Sequence, residues 1–173
     1  MVTLRPTQKL RSLLPLSAGP SVPSDTALGD WYVNRLIVDR RPLLLLISAS
    51  SLLPLVVPAR DVRSLPSRLG DLVAARLRRL GVSEPVLGAE RDAMGTVSVG
   101  PTIDRSVVGI LVDFANGVPH YLDQGRWDEA SLTDVEARLE KTPCFASKRA
   151  SECVFPARKA VELLNAKWPG GAG

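Results

Sequence analysis

Pro42-Leu43-Leu44-Leu45-Leu46-Ile47-Ser48-Ala49-Ser50-Ser51-Leu52-Leu53-Pro54-Leu55-Val56-Val57-Pro58-Ala59 is a run of eighteen uncharged residues, fenced by Arg40-Arg41 and by Arg60-Asp61. As a helix it is nearly long enough to cross a bilayer. As two strands and a turn it is the buried centre of a small domain. Pro54 and Pro58 fall inside the run, and each would remove a helical donor and clash with the preceding turn. Ser48-Ala49-Ser50-Ser51 is a small polar cluster of the kind that marks a turn. It separates two apolar runs, 43–47 and 52–57, each the length of a strand buried on both faces. Leucine favours helix over strand, which is the argument on the other side. The expectation is a hairpin and no membrane span; one continuous helix over 42–59 would overturn it.

Outward from this core, Trp31–Val38 is rich in β-branched and aromatic residues and reads as a strand. It makes a three-strand antiparallel meander near 31–38, 43–48 and 52–57. Val2–Leu4 is a further short strand, and Thr7 caps a brief helix that carries Leu10, Leu13 and Leu14 inward. Leu69, Leu72, Val73, Leu77 and Leu80 recur at helical spacing, and Gly81 stops that helix. Residues 83–93 form a short helix or a loop. A strand near 96–99 precedes the longest helix, near 103–122, capped by Asp104 and kinked or ended by Pro119. Two more helices are expected near 131–141, capped by Ser131 or Thr133, and near 156–167. The fold class is therefore α+β: a small antiparallel sheet packed against several helices. It forms one domain over 1–168, with a flexible tail at 169–173.

Length and composition suit this reading. The chain has 173 residues, enough for a real core, and only 5% aromatics, so aliphatic side chains must build that core. Charge is unevenly placed. Residues 1–80 carry twelve basic and five acidic groups, a net +7, whereas residues 81–173 carry ten basic and thirteen acidic groups, a net −3. Such a basic half marks a surface for nucleic acid or an acidic partner, or is neutralised by packing against the other half. No block of five like charges occurs, which favours neutralisation. The two cysteines, Cys144 and Cys153, match no disulfide framework and no zinc signature. Leu13-Leu14-Pro15-Leu16 is too short for a signal-peptide core. A reducing cytoplasm with free thiols is the default location.

Leu28-Gly29-Asp30-Trp31, Val38-Asp39-Arg40-Arg41, Val56-Val57-Pro58 and Asp104-Arg105-Ser106-Val107-Val108-Gly109 occur in that order, followed by Thr142-Pro143 and Phe155-Pro156. In this order and spacing the chain resembles an uncharacterised bacterial domain family of unknown function, over about residues 1–165. It departs from that pattern at Leu46-Ile47-Ser48-Ala49, where relatives carry a mixed Leu-Phe-Thr-Asn turn. The resemblance implies a soluble α+β domain and brings no activity, catalytic residue or cofactor.

Candidate sites must then come from the residues. Asp104-Arg105-Ser106 opens a helix and either holds an anion on Arg105 and the free first-turn donors, or is a plain cap with an ion pair. Trp31 beside Gly29 and Asp30 either lines a cleft or covers the core edge while Gly29 supplies a positive backbone angle. Arg40 and Arg41 at a loop tip either contact phosphates or keep an apolar hairpin from pairing with other chains. Arg68, Arg76 and Arg79 share the helix face opposite the leucines, and would extend that patch or stand as an ordinary solvated face. Among enzyme signatures there is no Walker loop, dinucleotide fingerprint or nucleophile elbow. His120 is the only histidine and reads as structural. Cys144 and Cys153 would need a nearby base or cation to react, and Lys148 and Arg149 lie between them. Asp30, Asp39, Asp104 and Asp113 would have to converge to hold magnesium.

The reading that results is a non-enzymatic binding module with no cofactor and no metal. Its basic surface comprises Arg40, Arg41, Arg68, Arg76 and Arg79, with Trp31, Asp104 and Arg105 as further binding residues. It would take nucleic acid or an acidic protein. The alternative is a metal-dependent hydrolase or nuclease built on Asp39, Asp104, Arg105 and Asp113.

Overall fold

The structure is a computed structural model that describes residues 1–144 and 153–170. Strands β1 (Val2–Pro6), β2 (Trp31–Val38), β3 (Arg41–Ser48), β4 (Pro54–Pro58) and β5 (Val97–Val99) form one sheet in the order β4-β3-β2-β1-β5. The uncharged run is the expected hairpin, with β3 antiparallel to both β2 and β4. Ser48 and Ser51 are buried at the β3–β4 turn, where their hydroxyls hydrogen-bond each other and Ser51 N donates to Ser48 Oγ. Leu52 at φ +64° completes the reversal.

The sheet is mixed rather than wholly antiparallel. Strand β1 inserts between β2 and β5 and runs parallel to both. Residues 7–30 provide the return path that a parallel β1–β2 pair requires.

Helices cover both faces. Leu4, Trp31, Val33, Leu44, Leu46 and Leu55 face α1 (Leu65–Arg79), α2 (Glu84–Ala93) and α5 (Pro156–Lys167). Tyr32, Leu43, Leu45, Ile47 and Val56 face α3 (Arg105–Gly117) and α4 (Glu129–Leu139). Strand alternation divides consecutive leucines of β3 between two cores, which explains why the run shows no polar face. The 103–122 segment is an α-helix of 13 residues followed by a 3-10 turn, Val118–Tyr121, because Pro119 cannot continue the ladder; α1, at 15 residues, is longer. Asp104 caps α3 as expected, accepting from Ser106 N at 2.8 Å and Val107 N at 3.3 Å. Helix α4 starts earlier than expected, capped by Asp128 in a reciprocal arrangement with Ser131. Among the described residues, no helix is long and apolar enough to cross a membrane. Residues 171–173 of the expected tail lie outside the described residues.

Candidate functional site

The edge of the sheet is closed by the acidic half of the chain. On β4, residues 54, 56 and 58 direct their backbone groups away from β3. Pro54 and Pro58 have no N–H, and the remaining donor, Val56 N, donates to Glu136 at 2.9 Å. Pro54 O accepts from Arg76 Nε at 2.8 Å. Arg76 also pairs with Glu140 and, at 3.6 Å, with Glu136, while Arg79 donates to Glu136 at 2.9 Å. Burial pushes the Glu136 carboxyl above the usual carboxylate range, against the pull of Arg76 and Arg79.

This corrects the expected basic surface. Arg76 is 3% exposed and belongs to a buried network, not to a solvated face. A helical wheel places it opposite the leucines, but α4 packs there and brings the carboxylates. Arg79 is spent on Glu136, and Arg68 is half-buried, donating to Ser64 Oγ and to Asp61 O. The two halves neutralise each other on this side.

Trp31 is also corrected: it is fully buried in the core and lines no cleft. The residues around it are structural. Gly29 sits at φ +73°, where a Cβ would lie 2.5 Å from Ser50 Oγ. Asp30 accepts from Thr3 N at 3.1 Å and from buried Arg5 at 2.8 Å. Leu28 N and Ala27 N donate to the buried Glu90 carboxylate.

The four aspartates do not converge. Trp31 opens β2 and Asp39 follows its end, roughly 25 Å away at ~3.3 Å per residue. Asp104 lies near the first end, where its N–H donates to the Tyr32 hydroxyl at 3.1 Å. Asp113 stands about 13 Å further along α3. Among the described residues, no three acidic, His or Cys side chains are placed to hold a metal ion. A small cleft of about 270 Å³ lies beside Asp104 and Arg105, but the capping carboxylate already occupies the first-turn donors there. Cys144 is buried and its thiol is pushed up to about 11 by burial, with Cys153 and Asp113 adding to the effect, so it is not a thiolate at neutral pH. Lys148 and Arg149 lie outside the described residues.

The hairpin tip builds a further candidate site. Asp39 and Arg40 both adopt left-handed backbone, at φ +52° and +64°, making a two-residue turn between Val38 and Arg41. Such turns match the twist of the strands but favour Asn, Asp or Gly, so Arg40 is held there under strain. Asp39 Oδ2 accepts from Gly125 N and from Trp127 Nε1, each at 2.9 Å. Arg41 donates to Trp127 O at 2.7 Å and lies over the indole, 4.5 Å from its centroid. The turn therefore fixes the 123–128 loop as a wall. Between that wall and the strands is a cleft of about 310 Å³ lined by Pro42, Leu43, Pro58, Ala59, Trp127 and the rim residues Arg41, Arg60 and Glu129.

Behind this cleft, on the sheet face opposite Trp127, stands an exposed apolar residue. Ile37 is 66% exposed and stands directly across from Pro42, and Pro42 O accepts from Ala59 N at 3.1 Å. Arg60 and Trp127 were not singled out as site residues from sequence. A Trp between Gly125-Arg126 and Asp128, in a polar loop, is the signal that could have found it.

Fold and site define an α+β domain with an apolar, arginine-rimmed cleft at one end of its sheet. The chain belongs to the Domain of unknown function (DUF6933) family, whose model matches residues 3–159. No curated protein matches it.

Proposed function

We propose that the protein is a non-enzymatic binding module that docks an acidic segment of a protein partner at the hairpin tip. The observation that carries this reading is the Trp127-walled cleft, with Pro42, Leu43, Pro58 and Ala59 as its apolar lining, Arg41 and Arg60 on its rim and Arg40 at the adjoining turn. Its apolar floor suits one or two apolar side chains, and its rim suits the carboxylates around them. Nucleic acid is the weaker match. Tracking a phosphate backbone needs an extended basic groove, and Arg76 and Arg79, which would have extended the patch, are neutralised by Glu136 and Glu140. Strand addition is also disfavoured. The β4 edge is blocked by Pro54, Pro58 and Glu136, and the β5 edge is covered by Ser17.

A salt-titrated binding assay tests the reading. A fluorescent peptide of mixed Asp and Glu with a central Leu-Phe pair is expected to bind at low salt and to be released as salt rises. Arg60→Glu, at an exposed position on the rim, is expected to abolish binding without altering the fold. Absence of peptide binding at low salt, peptide binding that Arg60→Glu leaves unchanged, or binding of RNA or duplex DNA that is tighter than that of the peptide would overturn it.

A further inference from the structure

Resting on that docking reading, the arrangement of the rim shows what competes for one of its arginines. Arg60 follows β4 on the sheet side of the cleft, and Glu129 opens α4 on the helix side. Their side chains meet in an ion pair, although they are 75% and 63% exposed. Arg41 is committed to Trp127 by a hydrogen bond and by stacking, whereas Arg60 has Glu129 as its polar partner. We infer that Glu129 is a built-in competitor: its carboxylate occupies the Arg60 guanidinium in the free protein, and an acidic partner binds by taking its place.

Three physical features fit that exchange. An exposed ion pair is weak, so it opens at little cost. A guanidinium presents a planar fork matched to a carboxylate, so the incoming group is a carboxylate like the one displaced. Glu129 lies in the first turn of α4, where the helix dipole favours a negative charge, so the released side chain is not stranded. Displacement leaves the Arg60 guanidinium available beside Pro58 and Ala59, which line the same cleft. Affinity thus depends on a carboxylate and an apolar side chain arriving together, which sets a threshold against simple anions.

A double-mutant cycle with the same acidic Leu-Phe peptide tests the competitor role. Glu129→Gln is expected to tighten binding about two- to fivefold, the worth of one exposed pair. Arg60→Gln is expected to weaken binding, and in that background Glu129→Gln is expected to add nothing. A gain that persists undiminished beside Arg60→Gln would mean that Glu129 acts only through its long-range charge, and would overturn the proposal. Wild-type binding with no gain in Glu129→Gln overturns the competitor role alone. Failure of both wild type and Glu129→Gln to bind removes the docking reading, and the competitor with it. Thermal melts of all four proteins confirm that folding is not the cause.

Discussion

Replacing Arg40 by glycine is expected to stabilise the fold while weakening the docking face. Arg40 sits at φ +64° beside Asp39 at φ +52°. A side-chain-bearing residue in this region costs about 1–2 kcal/mol, through the approach of Cβ to the following carbonyl. Glycine removes that cost but loses about 0.5–1 kcal/mol more chain entropy on folding. The net gain is about 0.5–1 kcal/mol, and Asp-Gly is a preferred pair for this turn. For a chain of 173 residues that corresponds to a rise in Tm of about 2 °C. The lost charge is expected to weaken the acidic peptide about two- to fivefold at low salt. Arg40→Ala separates the two effects, because it removes the charge but keeps the strain. Its affinity falls equally, and its Tm does not rise. Differential scanning fluorimetry and peptide anisotropy provide the readouts. A glycine variant that is less stable than wild type, or that binds the peptide unchanged, would refute the reading of Arg40 as a strained residue whose charge serves the docking face.

Three further outcomes follow from the same geometry. Arg76→Ala leaves buried Glu136 with Arg79 as its cation, removes the cation that pairs with partly buried Glu140 and leaves Pro54 O without its Arg76 donor, at a cost of about 3 kcal/mol by urea unfolding, while peptide affinity measured on the folded protein stays unchanged. Gly29→Ala places a methyl against Ser50 Oγ at φ +73° and is expected to cost about 1–3 kcal/mol, with Ser50→Gly recovering the steric part only. Cys144 titrates at about 11 when folded against 9.0 as an ordinary thiol, so the unfolded chain loses its proton first. Its contribution is complete below 9 and is lost as pH rises through 11; urea titrations across that window show falling stability, which Cys144→Ser removes, and at pH 8 iodoacetamide labels exposed Cys153 before Cys144.

The core was readable because its signals are local. Two prolines and a serine cluster inside an uncharged run force a hairpin, and leucines at helical spacing define α1. The parallel placement of β1 was not readable, because strand order depends on which edge is free once residues 7–30 have crossed the sheet. The arginine face of α1 misled for a related reason. A helical wheel reports which residues share a face, but the carboxylates that pair with Arg76 come from α4, about 60 residues later. At the tip, Asp39, Arg40 and Arg41 were visible as a charged turn. The cleft they build was not, since it needs Trp127 and Glu129 from the opposite end of the chain.

The most direct test of the docking face is an amide chemical-shift titration of the labelled protein with the acidic Leu-Phe peptide. Salt-sensitive shifts are predicted at Arg40, Arg41, Leu43, Ala59 and Arg60 and through Gly125–Trp127, with the α1 residues Arg68, Arg76 and Arg79 unmoved. Shifts centred on α1 or on the start of α3, with the hairpin tip silent, would contradict the account.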